Sequence, residues 1–389
     1  MSTENQPDVL IAGAGIGGLT AAIALHARGI DATVAERADQ LRPLGVGINL
    51  LPHAVAELDR LGLGPALADI AVAPHSIGFY DPHGALLFNE PRGIDGGYGH
   101  PQLSVHRGRL QMVLLDAIRD RCGPDVVRTA TAVRGFRETH DHVSAMTDGG
   151  TITADILIGA DGLQSDVRAQ LHPSDDELRW SGVTMYRGAT TTTPFLDGRT
   201  MAIIKGDNGI DLVTYPIGAD LVNWVLMVPE ARPGTATTGA GWNTPADPDT
   251  VLAYVADWNL GWLDAAALIG MAQRVFAYPM VDRDPLPWWG SGHVTLLGDA
   301  AHPMYPVGAN GGSQAIVDAA ALAEHLDRHR DDAQAGLRAY EAERRPATAE
   351  VIRANRDMQA TGDTRNSDEL AGVAAKYRRT TRADDPRGV

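Results

Sequence analysis

Residues Val9–Gly18 read VLIAGAGIGG, an apolar run followed by Gly13, Gly15 and Gly18 at the spacing G-x-G-x-x-G. The periodicity predicts a strand over Val9–Ala12, a tight turn, and a helix with Leu19 and Ile23 on one face. A second short strand is predicted over Ala32–Ala35, ending at Glu36-Arg37. Each glycine has its own reason. Gly13 permits the turn, Gly15 lets backbone approach a pyrophosphate, and Gly18 allows close helix–strand packing. The N–H groups of the helix start, Ile16 included, suit an anion. Glu36, about twenty residues on, is placed to accept ribose hydroxyls, with Arg37 beside it. This βαβ unit commits the chain to a dinucleotide-binding α/β fold. The fingerprint occurs once, which points to one tightly held dinucleotide and no second nicotinamide domain.

The 389 residues give room for more than one ordinary domain of roughly 100–200 residues. With 49 acidic and 33 basic residues the formal net charge is −16, which argues against nucleic acid and anionic membranes as partners. The apolar run Val9–Leu25 is broken by glycines and reads as neither signal peptide nor membrane span. Cys122 is the only cysteine, so no disulfide closes within the chain and a reducing, cytoplasmic compartment is expected. No His/Cys/carboxylate cluster stands at ligand spacing, and no metal is expected.

Further along, helices are predicted over Pro52–Gly62 and Gly108–Cys122, the second with a stripe of Leu110, Val113, Leu114, Ala117 and Ile118. Strands are predicted over Val126–Val133, His142–Met146 and Ile156–Ala160. Alternation from Gly182 to Pro229 predicts an antiparallel sheet. Glu230–Asp249 reads as a surface loop, Val251–Gly270 as partly helical, and Val294–Leu297 as a buried strand. Helices follow at Ser313–Arg328 and Ala333–Arg356, and the residues from about Thr361 read as a polar, loose tail. Nucleotide-type elements thus flank the antiparallel sheet. The expected organisation is a discontinuous dinucleotide-binding domain (1–75, 101–175 and 285–360), a second domain on the antiparallel sheet (76–100 and 176–284) and a tail (361–389).

Two more motifs carry chemistry. Gly159–Arg168, GADGLQSDVR, is a strand end, a turn with Asp161, and a helix start that Ser165 can cap. Leu296–Ala319, LLGDAAHPMYPVGANGGSQAIVDA, is a strand ending at Asp299, a Pro- and Gly-rich loop, and a helix. An aspartate at a strand end and a glycine loop aimed at a helix start suit a ligand with hydroxyls and developing negative charge.

GAGIGG, GADGLQSDVR and LLGDAAHPMYPVGANGG, in that order, resemble the three signatures of the single-component FAD-dependent aromatic hydroxylases, the para-hydroxybenzoate hydroxylase-like family. The likeness runs from about residue 8 to about residue 356. Within it, stretches such as SVHRGRLQMVLLDAIRDR and YPMVDRDPLPWWGSGHVTLLGDAAH are similar to the phenazine-modifying members acting on 5-methylphenazine-1-carboxylate with loss of the carboxyl group. The resemblance implies a Rossmann-type FAD-binding domain interleaved with a substrate domain on an antiparallel sheet, plus C-terminal helices. It implies non-covalent FAD, NADH or NADPH as transient reductant, and oxygen transfer from O₂ to an aromatic ring through a flavin C4a-hydroperoxide. The implied cofactor residues, beyond those of the fingerprint, are Val46 and Gly47 beside the flavin, Arg107 and Gln111, Val133, Asp161, Asp299 for the ribitol, and Pro306, Gly308, Gly311 and Gly312 against the pyrimidine.

The substrate is expected between flavin and sheet. Candidate contacts are Met185, Tyr186, Arg187, Tyr215, Trp224 and Tyr305, although alternation puts Tyr186 on the face opposite Met185 and Arg187. Arg187 suits a carboxylate. The phenazine-modifying likeness carries Trp at the position of Tyr186, so the same chemistry on a salicylate-type acid, quinolone or polyketide stays open. A flavin halogenase is disfavoured because its W-x-W-x-I-P segment is missing, LPWWGSG standing instead. A non-catalytic nucleotide-binding module has no need of the Asp299 loop. His302 reads as structural, and Asp282 with Asp284 as a solvated turn. No catalytic residue is assigned. The expected assembly is a monomer or homodimer.

Overall fold

The computed structural model describes residues 8–174, 177–236, 244–361 and 364–383. Strand Val9–Ala12 is buried at every position. It pairs in parallel with Ala32–Ala35 on one side and Ile156–Gly159 on the other. Val294–Leu296 and Val127–Arg128 complete a five-stranded parallel sheet. Strands buried on both faces have no solvent side, so they read as continuous apolar runs. Helix Ile16–His26 covers one face with Leu19, Ile23 and Leu25, and packs against helix Asn310–Arg328. Helix Arg107–Cys122 follows, starting one residue before its expected bound.

The second layer is a nine-stranded sheet. From one edge inward its main path runs Thr244–Pro245, Phe276–Asp282, Leu178–Thr191, Leu221–Pro229, Asp211–Pro216, Thr200–Lys205, Ser76–Tyr80 and Leu86–Pro91. All pairings are antiparallel except that of Thr200–Lys205 with Ser76–Tyr80. The sheet lies, in sequence, mostly between the fourth and fifth strands of the parallel one. The architecture is the mixed α/β arrangement that the motifs imply.

Three expectations need correction. The strand over Val126–Val133 does not exist: Pro124–Val126 is a helical turn, Val127–Arg128 joins the parallel sheet, and Val133–Glu138 belongs to a separate hairpin sheet. Ala130, at φ 49°, breaks the run between them. Within the stretch read as a loop, Gly234–Ala236 adds to the start of Leu178–Thr191, and residues 237–243 lie outside the described residues. Within the stretch read as a loose tail, Ser367–Ala383 is a helix. It turns Leu370, Val373, Ala374 and Tyr377 inward, an i, i+3, i+4, i+7 stripe set among charged residues. Helix Ala333–Thr361 reaches past its expected end.

Candidate active site

The two sheets enclose a chamber of about 1230 Å³. That exceeds the roughly 300–1,000 Å³ of a pocket for one drug-sized ligand. Its lining includes every expected cofactor position except Ile16 and Gly18. Gly18 is a packing glycine, since a Cβ there would run into the carbonyl oxygen of Gly13. Ile16 is a buried first-turn residue. Gly13, at φ 104°, leaves only 2.5 Å between an added Cβ and the Ala160 carbonyl oxygen. Gly15, by contrast, faces open space, with nothing within 4 Å of an added Cβ.

Two helix N-termini open on this chamber. Ile16–His26 and Asn310–Arg328 both lack a side-chain cap and an acidic residue in the first turn. Their first N–H groups therefore have no partner of their own and favour negative charge. Ser313, a natural cap residue, instead accepts from the Leu51 N–H at 3.0 Å and ties that segment to the helix. Glu36 accepts from the N–H groups of Ala14 and Ala38, both at 2.8 Å. Those bonds fix the carboxylate at the strand end while leaving lone pairs to spare. Gln111 donates to the Ala14 carbonyl at 2.7 Å and pins the glycine turn.

Asp299 is exposed on the chamber wall, and Gly311 gives its Oδ1 room: an added Cβ would stand 3.8 Å away. Behind it lies a network that sequence reading missed. Asp318 accepts from the Gly298 N–H at 3.1 Å, from Arg344 at 2.8 Å and from His302 at 2.5 Å, while Arg168 donates to the Ala300 and Ala301 carbonyls. Although burial alone raises the Asp318 carboxyl, His302 and Arg344 hold it below its ordinary value. His302 is thus a buried structural residue packed on Trp289. Asp161 accepts from the Val167 N–H at 3.3 Å and leaves Oδ1 buried without a partner; burial pushes its carboxyl up. Asp282 and Asp284 are both held by Arg356. Asp282 is fully buried and is an internal tie rather than a solvated turn residue, whereas Asp284 is exposed.

The substrate-side candidates divide by face. Met185, Arg187 and Tyr215 line the chamber. Tyr186 and Trp224 point the other way, into a separate apolar core. The Tyr186 hydroxyl donates to Glu230 at 3.2 Å and the Trp224 indole to Thr190 at 3.1 Å. Gly188, opposite Trp224 in the register, leaves space for the indole ring. Tyr305 packs beneath the wall with Met185 and Met280. These three are packing residues, not chamber contacts.

Arg187 has the most unusual surroundings. Its only hydrogen bond runs from Nη2 to the Gly47 carbonyl at 3.3 Å, and its buried Nε has no partner. Its guanidinium stands 5.7 Å from the Tyr278 ring. No carboxylate faces it among the described residues, and burial pushes its pKa down. Burial likewise pushes the Tyr215 hydroxyl up to about 12. Arg107 also lines the chamber and has no ion-pair partner among the described residues. Asn223, also missed, fixes the start of strand Gly47–Leu50 by accepting from the Gly47 N–H at 2.7 Å. No group of three or more potential metal ligands stands among the described residues, and none of their helices is long and apolar enough to cross a membrane.

The family model described as "FAD binding domain" matches residues 6–212 and 280–355. The phenazine 1,6-dicarboxylic acid hydroxylase PhzS of Lysobacter antibioticus is 46% identical, across 97% of this chain and 98% of its own length. The 3-amino-4-hydroxybenzoate 2-monooxygenase PtmB3 of Streptomyces platensis is 35% identical, across 91% of this chain and 88% of its own. Among solved structures, HpxO of Klebsiella pneumoniae complexed with FAD and uric acid superposes with a TM-score of 0.78 at 26% identity, covering 96% of this chain and 92% of that one.

Proposed function

The chain belongs to the FAD-binding-domain family of flavin-dependent aromatic hydroxylases, and from that membership we propose that it hydroxylates a flat N-heteroaromatic carboxylate of the phenazine type. The uncapped start of helix Ile16–His26, with Arg107, would hold the pyrophosphate. Glu36 would take the adenosine ribose and Asp299 the ribitol. The Pro306–Gly312 loop and the uncapped start of helix Asn310–Arg328 would lie against the flavin pyrimidine. When bound, FAD supplies reduction by NADH or NADPH and activation of O₂ for transfer to an aromatic carbon.

The chain's own residues then do three things. The uncapped helix at Asn310 offers N–H groups and a positive dipole end where negative charge collects. The apolar wall of Met185, Val225 and Met227 excludes water. Arg187 orients the substrate, and this residue carries the reading. A guanidinium buried without a carboxylate is costly unless a ligand supplies one. An aromatic acid does so, and the Tyr278 ring beside it suits a flat partner. The lone cysteine and the acidic balance fit a cytoplasmic enzyme of small-molecule metabolism.

The test is the anaerobic rate of FAD reduction by NADH and by NADPH, with and without phenazine-1-carboxylate. Acceleration of tenfold or more by the acid supports the reading. Equal rates with bound FAD would overturn the substrate class.

A further inference from the structure

The chamber has a second polar end. Arg92 lines it, following strand Leu86–Pro91 at the far edge of the sheet. Its Nη2 donates to Glu90 at 2.9 Å, while its Nε is buried with no partner. Glu90, only 2% exposed, is itself shared: Arg378, on helix Ser367–Ala383, brings Nε to 3.3 Å from its other oxygen. The surroundings are otherwise apolar, with Ile77, Phe79 and Met201 on the same wall. Lys205 also lines the chamber, but it is closed on Asp211.

The two cationic ends are far apart. Arg187 stands on strand Leu178–Thr191, five strand steps from Leu86–Pro91. At about 4.8 Å per step, that is roughly 24 Å of sheet between backbones. Two arginines reaching in from both ends leave space for a fused ring system rather than a single benzene ring. The stripe of helix Ser367–Ala383 covers the Arg92 end, where the Tyr377 hydroxyl is anchored to Asn355 at 2.9 Å and also meets Asn310.

We infer that Arg92 is a second anion anchor, so that the chamber selects fused-ring aromatic di-acids with one carboxylate at Arg187 and the other at the Arg92 Nε. This rests on the carboxylate reading of Arg187. A phenazine with carboxylates on opposite edges of its outer rings has the required chemistry, whereas a mono-acid leaves the Arg92 Nε without a partner.

The experiment titrates the FAD-loaded protein with phenazine-1,6-dicarboxylate and phenazine-1-carboxylate, following the flavin absorbance change. Wild type binds the di-acid at least tenfold more tightly. Arg92→Gln lowers that preference at least tenfold, and Arg92→Lys restores part of it. Glu90→Gln, which frees Arg92 from its internal partner, moves the preference the other way by at least threefold. Should Arg92→Gln lose its FAD, the Glu90→Gln and Arg92→Lys results still decide. An unchanged preference across these variants, with both acids binding, overturns the second anchor and leaves the Arg187 reading standing. If wild type binds neither acid, the substrate class itself is wrong and the anchor falls with it. Arg187→Gln separates the two ends, because it weakens both acids.

Discussion

The chamber has two sides made of different material. On the side proposed for the cofactor the lining is largely backbone, with Gly13, Gly15, Gly47, Gly311 and Gly312 presenting peptide groups and open space. On the side proposed for the substrate it is side chains from neighbouring strands, among them Met185, Arg187, Tyr215 and Met227. A site built of backbone needs small residues at fixed spacing in one stretch, and so leaves a motif. A site built of side chains needs only the right groups converging from distant strands, and leaves none. The first kind resists substitution; the second can be re-specified one residue at a time.

The largest expected break in that contrast is Gly13→Val. Positive φ and the 2.5 Å approach to Ala160 forbid a side chain there. FAD content per purified chain should fall below a tenth of wild type, and normal content would show that the turn has slack. The next is Asp318→Asn, which leaves Arg344 and His302 without their buried carboxylate. A loss of about 3 kcal/mol at neutral pH is expected, because breaking one side of a buried pair strands the other. The pH dependence has a definite sign. Since the folded-state pKa of Asp318 is depressed, its contribution is complete above the ordinary value of 3.8 and is lost as pH falls through the lower folded value. Denaturant unfolding of the two proteins should therefore converge on acidification, and a constant gap would mean that charge is not the cause. The smallest effect belongs to the far face of the substrate sheet. Trp224→Phe removes the indole bond to Thr190 and should cost about 1 kcal/mol in a thermal melt, with turnover unaltered. Altered turnover would put the far face in communication with the chamber.

The same contrast explains what could be read from the chain. The glycine turn and the strand end at Asp299 were legible because each is a local string. Alternation correctly placed Tyr186 opposite Arg187, yet it does not say which face turns inward. That depends on the partner sheet, and cross-strand register puts Trp224 with Tyr186 on the far face. Asn223 escaped notice because its partner, Gly47, lies 176 residues away in sequence. Helix Ser367–Ala383 escaped because its apolar stripe is narrow and the charges around it dominate composition. The strand expected over Val126–Val133 overran Val127–Arg128 because nothing in the apolar pattern marks the break at Ala130.

The interruption of the parallel sheet by the other has a consequence in time. Leu157 pairs with Val294, so the edge strand waits for the whole intervening sheet to be synthesised. Asp299 and the Gly308–Gly312 turn arrive later still. A nascent chain emerging at roughly 5–20 residues per second therefore displays a finished fingerprint turn well before it has the other half of the cradle. Contacts this distant along the chain form slowly. Completion of the chamber wall is consequently a late event of biogenesis.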